Sequence, residues 1–201
     1  MGIRKRALKR EGEKMSNEAF RVMTWIMNVV DFFYSYVGRR AKTFGITSGM
    51  TVVDYGCGPG RYTMKFAGIV GDRGKVYAAD IHEMAFEAVK KKSLKQGITN
   101  IETVLIDGYN SGLPDDAADM VCALNMFFSV RKPAALLKEL NRITRRGGVL
   151  VIDDGHQKRE KTLQEIHGSG LWDIVEESKD HLRCRPRKPA GTGKGAVPQD
   201  M

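Results

Sequence analysis

From Met50 onward, short runs of β-branched and apolar residues alternate with longer segments that have the pattern of helices. Strands are predicted at 51–55, 75–80, 101–106, 118–125 and 148–154. Helices are predicted between and after them, at about 60–70, 82–96, 132–145 and 158–168. Gly97 and the pair Gly147 and Gly148 are placed to end the second and the third of these helices. Because the strands are apolar along their whole length, they predict a parallel sheet covered by helices on both faces.

Two further strands, at 171–178 and 179–185, are joined by only a short connection. Strands so close in sequence must pair antiparallel, because a parallel return needs a dozen or more residues. The predicted fold class is therefore α/β, with a doubly wound sheet of seven strands in which five parallel strands precede a C-terminal antiparallel pair.

Composition divides the chain into four predicted parts. These are a basic flexible leader, an N-terminal helical lid, one main domain and a proline- and glycine-rich disordered tail, at 1–14, 15–44, 45–188 and 189–201. The net charge of +9 belongs to the ends, since 1–14 and 183–201 carry +4 each and leave +1 for the body. Basic ends of this kind indicate weak attraction to polyanions, and no specific nucleic-acid partner is expected.

The segment from Phe20 to Val37 is densely apolar but is interrupted by Arg21, Asn28 and Asp31. It is therefore too polar for a clean membrane span and predicts one or two helices that are apolar on more than one side. Three uses stay open: a lid, a dimer interface, or weak membrane-surface contact through residues 1–37. The chain is accordingly expected to be a monomer or a homodimer. The three cysteines are widely spaced and no secretory leader is evident, which favours a reducing, cytoplasmic location.

The sequence "VVDYGCGPG" places a glycine turn directly after the first strand. Gly56, Gly58 and Gly60 form a GxGxG pattern, and Arg61 stands where a dinucleotide loop has its third glycine. Pro59 also removes an amide donor that a pyrophosphate would use. The turn therefore predicts a ligand that lacks a pyrophosphate.

Carboxylates follow the neighbouring strands. Asp80 ends the second strand and suits hydrogen bonding to two ribose hydroxyls, and Asp107 ends the third strand, where it suits an amine donor such as adenine N6. Each of them could equally be a solvated residue at a strand end. Because both follow parallel strands, they are expected to share one edge of the sheet with the glycine turn, where open α/β sheets bind ligands.

Four segments together resemble the class I S-adenosylmethionine-dependent methyltransferases, which have a Rossmann-like fold: "VVDYGCGPG", "VYAADI", "VLIDGYNSGLPDDAADMVCALNMF" and "LKELNRITRRGGVLVIDDG". The resemblance covers about 45–188 and is strongest to the small-molecule branch that includes ubiquinone/menaquinone C-methyltransferases and arsenite methyltransferases. It implies S-adenosyl-L-methionine as cofactor and S-adenosyl-L-homocysteine as product. The residues implied to contact the cofactor are Asp54, Gly56, Gly58, Gly60, Asp80, Ile81, Asp107, Gly108 and Asn125.

Candidate catalytic residues lie just past the fifth strand. Asp153, Asp154 and His156 could supply a general base if the acceptor must lose a proton, or the two aspartates could cap the turn and the histidine could be exposed. We expect all three cysteines to be small packing residues without a chemical role, including Cys57 within the glycine turn. No metal site is predicted.

Aromatic and apolar residues near the expected acceptor side predict a substrate pocket formed by Tyr34, Met126 and Phe127. They favour methyl transfer to a small hydrophobic or aromatic acceptor, although they could equally belong to the core. Two alternatives remain: methylation of a protein or RNA with the basic ends as docking arms, and a cofactor-binding subunit without catalysis.

Overall fold

The computed structural model describes residues 14–33 and 36–188. The leader up to residue 13, Tyr34 and the tail from residue 189 lie outside the described residues. The division into leader, lid, domain and tail therefore remains a prediction.

The strands form one seven-stranded sheet in the order β3-β2-β1-β4-β5-β7-β6. Their bounds are β1 Thr51–Tyr55, β2 Lys75–Asp80, β3 Ile101–Leu105, β4 Ala118–Ala123, β5 Thr144–Ile152, β6 Trp172–Glu177 and β7 Leu182–Pro186. The first five pair parallel, whereas β7 pairs antiparallel with both β5 and β6. The predicted fold class is confirmed, including the C-terminal antiparallel pair.

Six α-helices accompany these strands in the described residues: α1 Asn17–Phe33, α2 Tyr36–Ala41, α3 Arg61–Val70, α4 Glu83–Gln96, α5 Pro133–Ile143 and α6 Arg159–Ser169. Gly97 ends α4 in a left-handed conformation, as the sequence predicts. Apolar residues of the strands pack against helices on both faces of the sheet, so that β4 and the C-terminal end of β5 are almost completely buried.

The end of α5 differs from the prediction. The helix stops at Ile143, and β5 begins at Thr144, four residues before the predicted strand start. Ala118 pairs with Thr144 but Met120 pairs with Val149, so β5 bulges between these two pairings. Gly147 and Gly148 lie in this bulge and do not cap the helix; a Cβ on Gly148 would come within 2.9 Å of the Asp119 carbonyl oxygen.

The carboxyl ends of the parallel strands define the edge that matters for function. Parallel pairing brings Tyr55 of β1 beside Ala79 of β2, with Asp80 one residue beyond. The N-terminal helices lie near this edge, since Phe20 of α1 packs with Cys57 and Met64, and α2 buries Val37. No helix in the described part of the chain is long and apolar enough to cross a membrane.

Candidate active site

A cavity of about 740 Å³ opens at the carboxyl edge of the parallel strands. Its floor consists of residues from the ends of β1, β2 and β4, and its cover comes from α1 and α2. Strand ends leave backbone and carboxylate groups at this edge, whereas the covering helices contribute mainly methionine and aromatic side chains. The cavity is therefore polar on one side and apolar on the other.

The glycine turn after β1 has a conformation that few other residues could adopt. Gly56 has a φ of 78°, and a Cβ there would lie 3.0 Å from Cγ of Met126. Gly60 also has a φ of 78°, but its added Cβ would lie 2.8 Å from Cγ2 of Val89 on α4. Gly56 and Gly58 line the cavity, whereas Gly60 does not. Gly60 instead permits close packing between the start of α3 and α4.

Asp80 ties the turn to the end of β2. Its two carboxylate oxygens accept hydrogen bonds from the backbone N–H groups of Gly58 and His82, both at 2.8 Å. The side chain is buried but lines the cavity, and burial raises its pKa despite these two donors. Because each carboxylate oxygen can accept more than one hydrogen bond, Asp80 is held in place and can still accept from a ligand.

Asp54 lies beneath the turn as a second buried carboxylate on the cavity wall. It accepts a hydrogen bond from the hydroxyl of Thr63 on α3. Burial, with a smaller contribution from the nearby Asp80, raises the pKa of Asp54 from 3.8 to about 7. Two acidic groups in one buried wall favour a ligand that carries positive charge.

The remaining predicted cofactor residues divide into two groups. Ile81, Gly108 and Asn125 line the cavity. Asn125 adopts a φ of 55°, unusual for a non-glycine residue, and its backbone N–H donates to Asp153 at 2.8 Å. Asp107 does not line the cavity; it is exposed and forms a bridge with Asn110 through backbone hydrogen bonds.

Asp153, a predicted general base, belongs to a buried ion pair. Its second oxygen lies 2.9 Å from Nη1 of Arg40 on α2, and both side chains are 4% exposed. Arg40 also donates to Asp180 at 2.7 Å and to the hydroxyl of Tyr62 at 2.8 Å. Burial raises the pKa of Asp153, although Arg40 opposes that shift. Because Asp153 is enclosed by these donors and does not line the cavity, its position does not match the predicted role of a base.

The other two candidates separate in the same way. Asp154 pairs with Arg159 at 2.7 Å at the start of α6 and is absent from the cavity wall. His156 lines the cavity, and its ring contacts Phe128 edge-to-face with 4.8 Å between centroids. Of the three candidates, the geometry leaves only His156 within the cavity.

The predicted substrate pocket needs one correction. Met126 lines the cavity, but Phe127 is 1% exposed and packs in the main core. The short 3₁₀ turn Phe127–Ser129 directs the next residue, Phe128, to the cavity instead. Tyr34 lies outside the described residues, whereas Tyr36 lines the cavity.

Two solved structures with the same fold are described as methyltransferases. A S-adenosylmethionine-dependent methyltransferase from Aquifex aeolicus has a TM-score of 0.72 and 23% identity, with 86% of this chain and 98% of that chain covered. A proposed S-adenosyl-L-methionine-dependent methyltransferase from Methanococcus maripaludis has a TM-score of 0.73 and 17% identity, with 90% and 98% covered. At these identities the likeness establishes the fold.

The sequence comparisons address the family. The family model for a methyltransferase domain matches residues 53–152. The ubiquinone/menaquinone biosynthesis C-methyltransferase UbiE of Shewanella oneidensis is 27% identical over 124 residues, covering 61% of this chain and 49% of that relative. This chain belongs to the class I S-adenosylmethionine-dependent methyltransferases. It matches about half the length of the relative, so the activity and substrate of UbiE do not transfer with the family.

The cofactor of this methyltransferase is S-adenosyl-L-methionine, and the cavity fits it. Asp80 would hold the ribose hydroxyls and Asp54 the cationic amino-acid part, with the backbone of Gly56 and Gly58 alongside. His82 would add a polar group beside Asp80. It is 2% exposed, lines the cavity and has no hydrogen-bond partner at Nε2 in the described part of the chain.

Sequence reasoning missed two residues that line the cavity of this methyltransferase, Tyr62 and His82, and also Arg40, which donates to the Tyr62 hydroxyl. His82 follows Asp80 directly, stacks on Phe20 with 4.4 Å between ring centroids, and accepts the Met84 N–H at the start of α4. The sequence did contain one signal for His82, namely a polar residue at the position where a helix begins. Arg40 gave no such signal, because its partners come from distant parts of the chain.

All three cysteines are buried and free, as expected for packing residues. Cys57 lines the cavity, but burial raises the pKa of its thiol well above the ordinary value, with the carboxylates of Asp80 and Asp54 adding to the shift. A thiol in this state is a poor nucleophile at neutral pH. In the described residues no group of three or more histidine, cysteine or acidic side chains is arranged to hold a metal ion.

Proposed function

We propose that this chain transfers a methyl group from S-adenosylmethionine to a small, largely apolar acceptor. The observation that carries this proposal is the division of one cavity into two chemically different walls. The carboxylates and backbone of the strand edge suit the cofactor, whereas Phe20, Met23, Met27, Met126 and Phe128 surround the remaining space with apolar surface. We also infer a cytoplasmic location from the cysteine usage.

When bound, S-adenosylmethionine supplies a sulfonium methyl group that an acceptor atom can displace in line. The chain's own contribution is chiefly alignment, because holding two reactants in register can lower a barrier by about 7–11 kcal/mol at best. Asp80 and the glycine turn fix one reactant, and the methionine and aromatic side chains of α1 and the β4 end position the other. The same apolar cover excludes water from the reacting centre.

His156 is the residue that we assign to proton removal. Its imidazole lines the acceptor side of the cavity, against Phe128. A neutral imidazole accepts a proton near physiological pH, which is what a phenol, a thiol or an acidic carbon acceptor would require. An acceptor without a proton to lose would not need it.

His156→Asn should therefore lower kcat by about 100-fold with an ionisable acceptor, since general bases contribute on this order or more. S-adenosylmethionine affinity should change little. His167→Asn, in the last turn of α6, is the matched control and should retain full activity. An unchanged kcat in His156→Asn would remove this residue from the mechanism.

The reaction itself is tested with methyl-labelled S-adenosylmethionine and a panel of phenols, thiols and carbon acids, followed by extraction into organic solvent. We expect label in the organic phase, and Asp80→Ala should abolish most of it. Label recovered instead in added protein or RNA would support a macromolecular acceptor. Binding without transfer to any acceptor class would support a non-catalytic cofactor-binding subunit.

A further inference from the structure

Helix α1 has two apolar faces, and only one of them is used by the fold. Phe20, Met23 and Met27 face the cavity. The opposite face carries Val22, Trp25, Ile26 and Val29, which are 59%, 68%, 49% and 40% exposed. The spacing of these four residues, i, i+3, i+4 and i+7, places them on one continuous stripe of the helix. We call these four residues the outer stripe.

Exposed apolar residues are concentrated around this stripe. Of the ten large apolar side chains that are exposed in the described part of the chain, seven lie between Met15 and Tyr36. The other three, Leu94, Leu105 and Val175, lie on three different elements. Single exposed apolar residues need no explanation, but a contiguous group marks a surface that contacts something.

The charge of the sequence that precedes α1 indicates what kind of partner this surface contacts. The first fourteen positions, before α1, contain only two acidic residues but six basic ones. The basic residues are Arg4, Lys5, Arg6, Lys9, Arg10 and Lys14. Arg21 adds an exposed positive charge on the helix itself. A helix with tryptophan and aliphatic residues on one face and basic residues nearby is the type that lies in the headgroup region of a membrane.

We propose that α1 docks its outer stripe on the surface of an anionic lipid bilayer, parallel to the membrane plane. A second copy of the chain is a weaker fit, because a stable protein interface uses about 20–30 residues on each side, whereas the stripe offers four. The docking does not depend on catalysis. If the proposed function also holds, the helix that covers the acceptor side of the cavity would lie between that cavity and the lipid, giving an apolar acceptor a short path.

The test is co-sedimentation of the full chain with vesicles of phosphatidylcholine alone or mixed with phosphatidylglycerol. We expect binding to the mixed vesicles and a blue shift of Trp25 emission, since the other tryptophan, Trp172, is buried. The triple variant V22S/W25S/I26S should lose at least tenfold in vesicle partitioning. Leu94→Ser, which removes an apolar side chain that is 73% exposed elsewhere, is the matched control and should partition as the unchanged protein does.

S-adenosylmethionine affinity reports separately on the fold and on the cofactor site, and it should be the same in the triple variant. Failure of the unchanged protein to sediment with anionic vesicles would overturn the docking proposal and leave the proposed function untouched. Equal sedimentation of the triple variant would also overturn it, because the basic leader alone would then account for binding. A stripe-dependent dimer in sedimentation velocity, without vesicle binding, would assign the stripe to a second copy.

Discussion

The two walls of the cavity differ in how firmly the chain holds them. On the strand-edge wall, Asp80 and Asp54 are buried and hydrogen-bonded, and the glycine turn has little room for other residues. On the apolar wall, Met23, Met27 and Met126 present flexible side chains. A rigid polar wall suits one fixed cofactor, whereas a methionine-rich wall can adapt its shape to its ligand. This difference explains why the sequence identifies the methyl donor and does not identify the acceptor.

The buried ion pair between Arg40 and Asp153, behind the cavity, carries the largest expected effect. Arg40→Met would leave the Asp153 carboxylate buried without its cation, which should lower the free energy of unfolding by about 3 kcal/mol or more. Urea unfolding measures this change. Arg39→Met, on the exposed side of α2, is the control and should cost less than about 1 kcal/mol. Equal losses in the two variants would show that the buried ion pair does not stabilise the fold.

Asp80 tests the strand-edge wall directly. Asp80→Ala should weaken S-adenosylmethionine binding at least tenfold, because the cofactor loses an acceptor and the Gly58 N–H loses its partner. Asp107→Ala should have a smaller effect, since Asp107 is exposed and outside the cavity wall. Calorimetric titration compares the two. A larger loss in the Asp107 variant would reverse their assigned importance.

Asp54 predicts a pH dependence that is specific to the strand-edge wall. With a pKa of about 7, Asp54 is mostly protonated at pH 6 and loses its charge as an acceptor for the cationic cofactor. Affinity for S-adenosylmethionine should therefore fall about tenfold between pH 8 and pH 6. Asp54→Asn should bind weakly at both pH values, and an unchanged slope in that variant would assign the dependence to another group.

The raised pKa of Asp54 affects folding stability in the opposite direction to cofactor affinity: stability falls as pH rises, whereas affinity increases. The folded pKa of Asp54 is raised, so its contribution is most favourable below about pH 4 and is lost as pH rises through about 7. Asp54→Asn should therefore unfold at a higher urea concentration than the unchanged protein at pH 8. A lower midpoint would mean that the buried charge is better compensated than its surroundings indicate.

The apolar wall should respond with the smallest changes. Phe128→Leu alters the cavity surface and should change KM for the acceptor a few-fold without altering S-adenosylmethionine affinity. Phe127→Leu alters the core instead and should cost about 1 kcal/mol of stability with KM unchanged. Steady-state kinetics of the two variants measure KM, and urea unfolding measures their stability. The reverse pattern would place Phe127, and not Phe128, at the acceptor.

Local patterns explain what the sequence could predict. The glycine turn and Asp80 follow their strands directly. The alternation of strands and helices was therefore enough to predict that they share one edge of the sheet. Arg40 could not be found in this way, because its partners Asp153 and Asp180 are 113 and 140 residues away. The choice between Phe127 and Phe128 depends on one 3₁₀ turn, and the early start of β5 depends on a bulge that forms only against β4.

The most direct measurement of the whole account is calorimetric titration of the full chain with S-adenosylmethionine. We predict saturable binding of one cofactor per chain at neutral pH, with competition by S-adenosylhomocysteine and clear weakening in Asp80→Ala. Absence of binding at millimolar cofactor would contradict the assignment of the strand-edge wall, and with it the division of the cavity on which the proposed function rests.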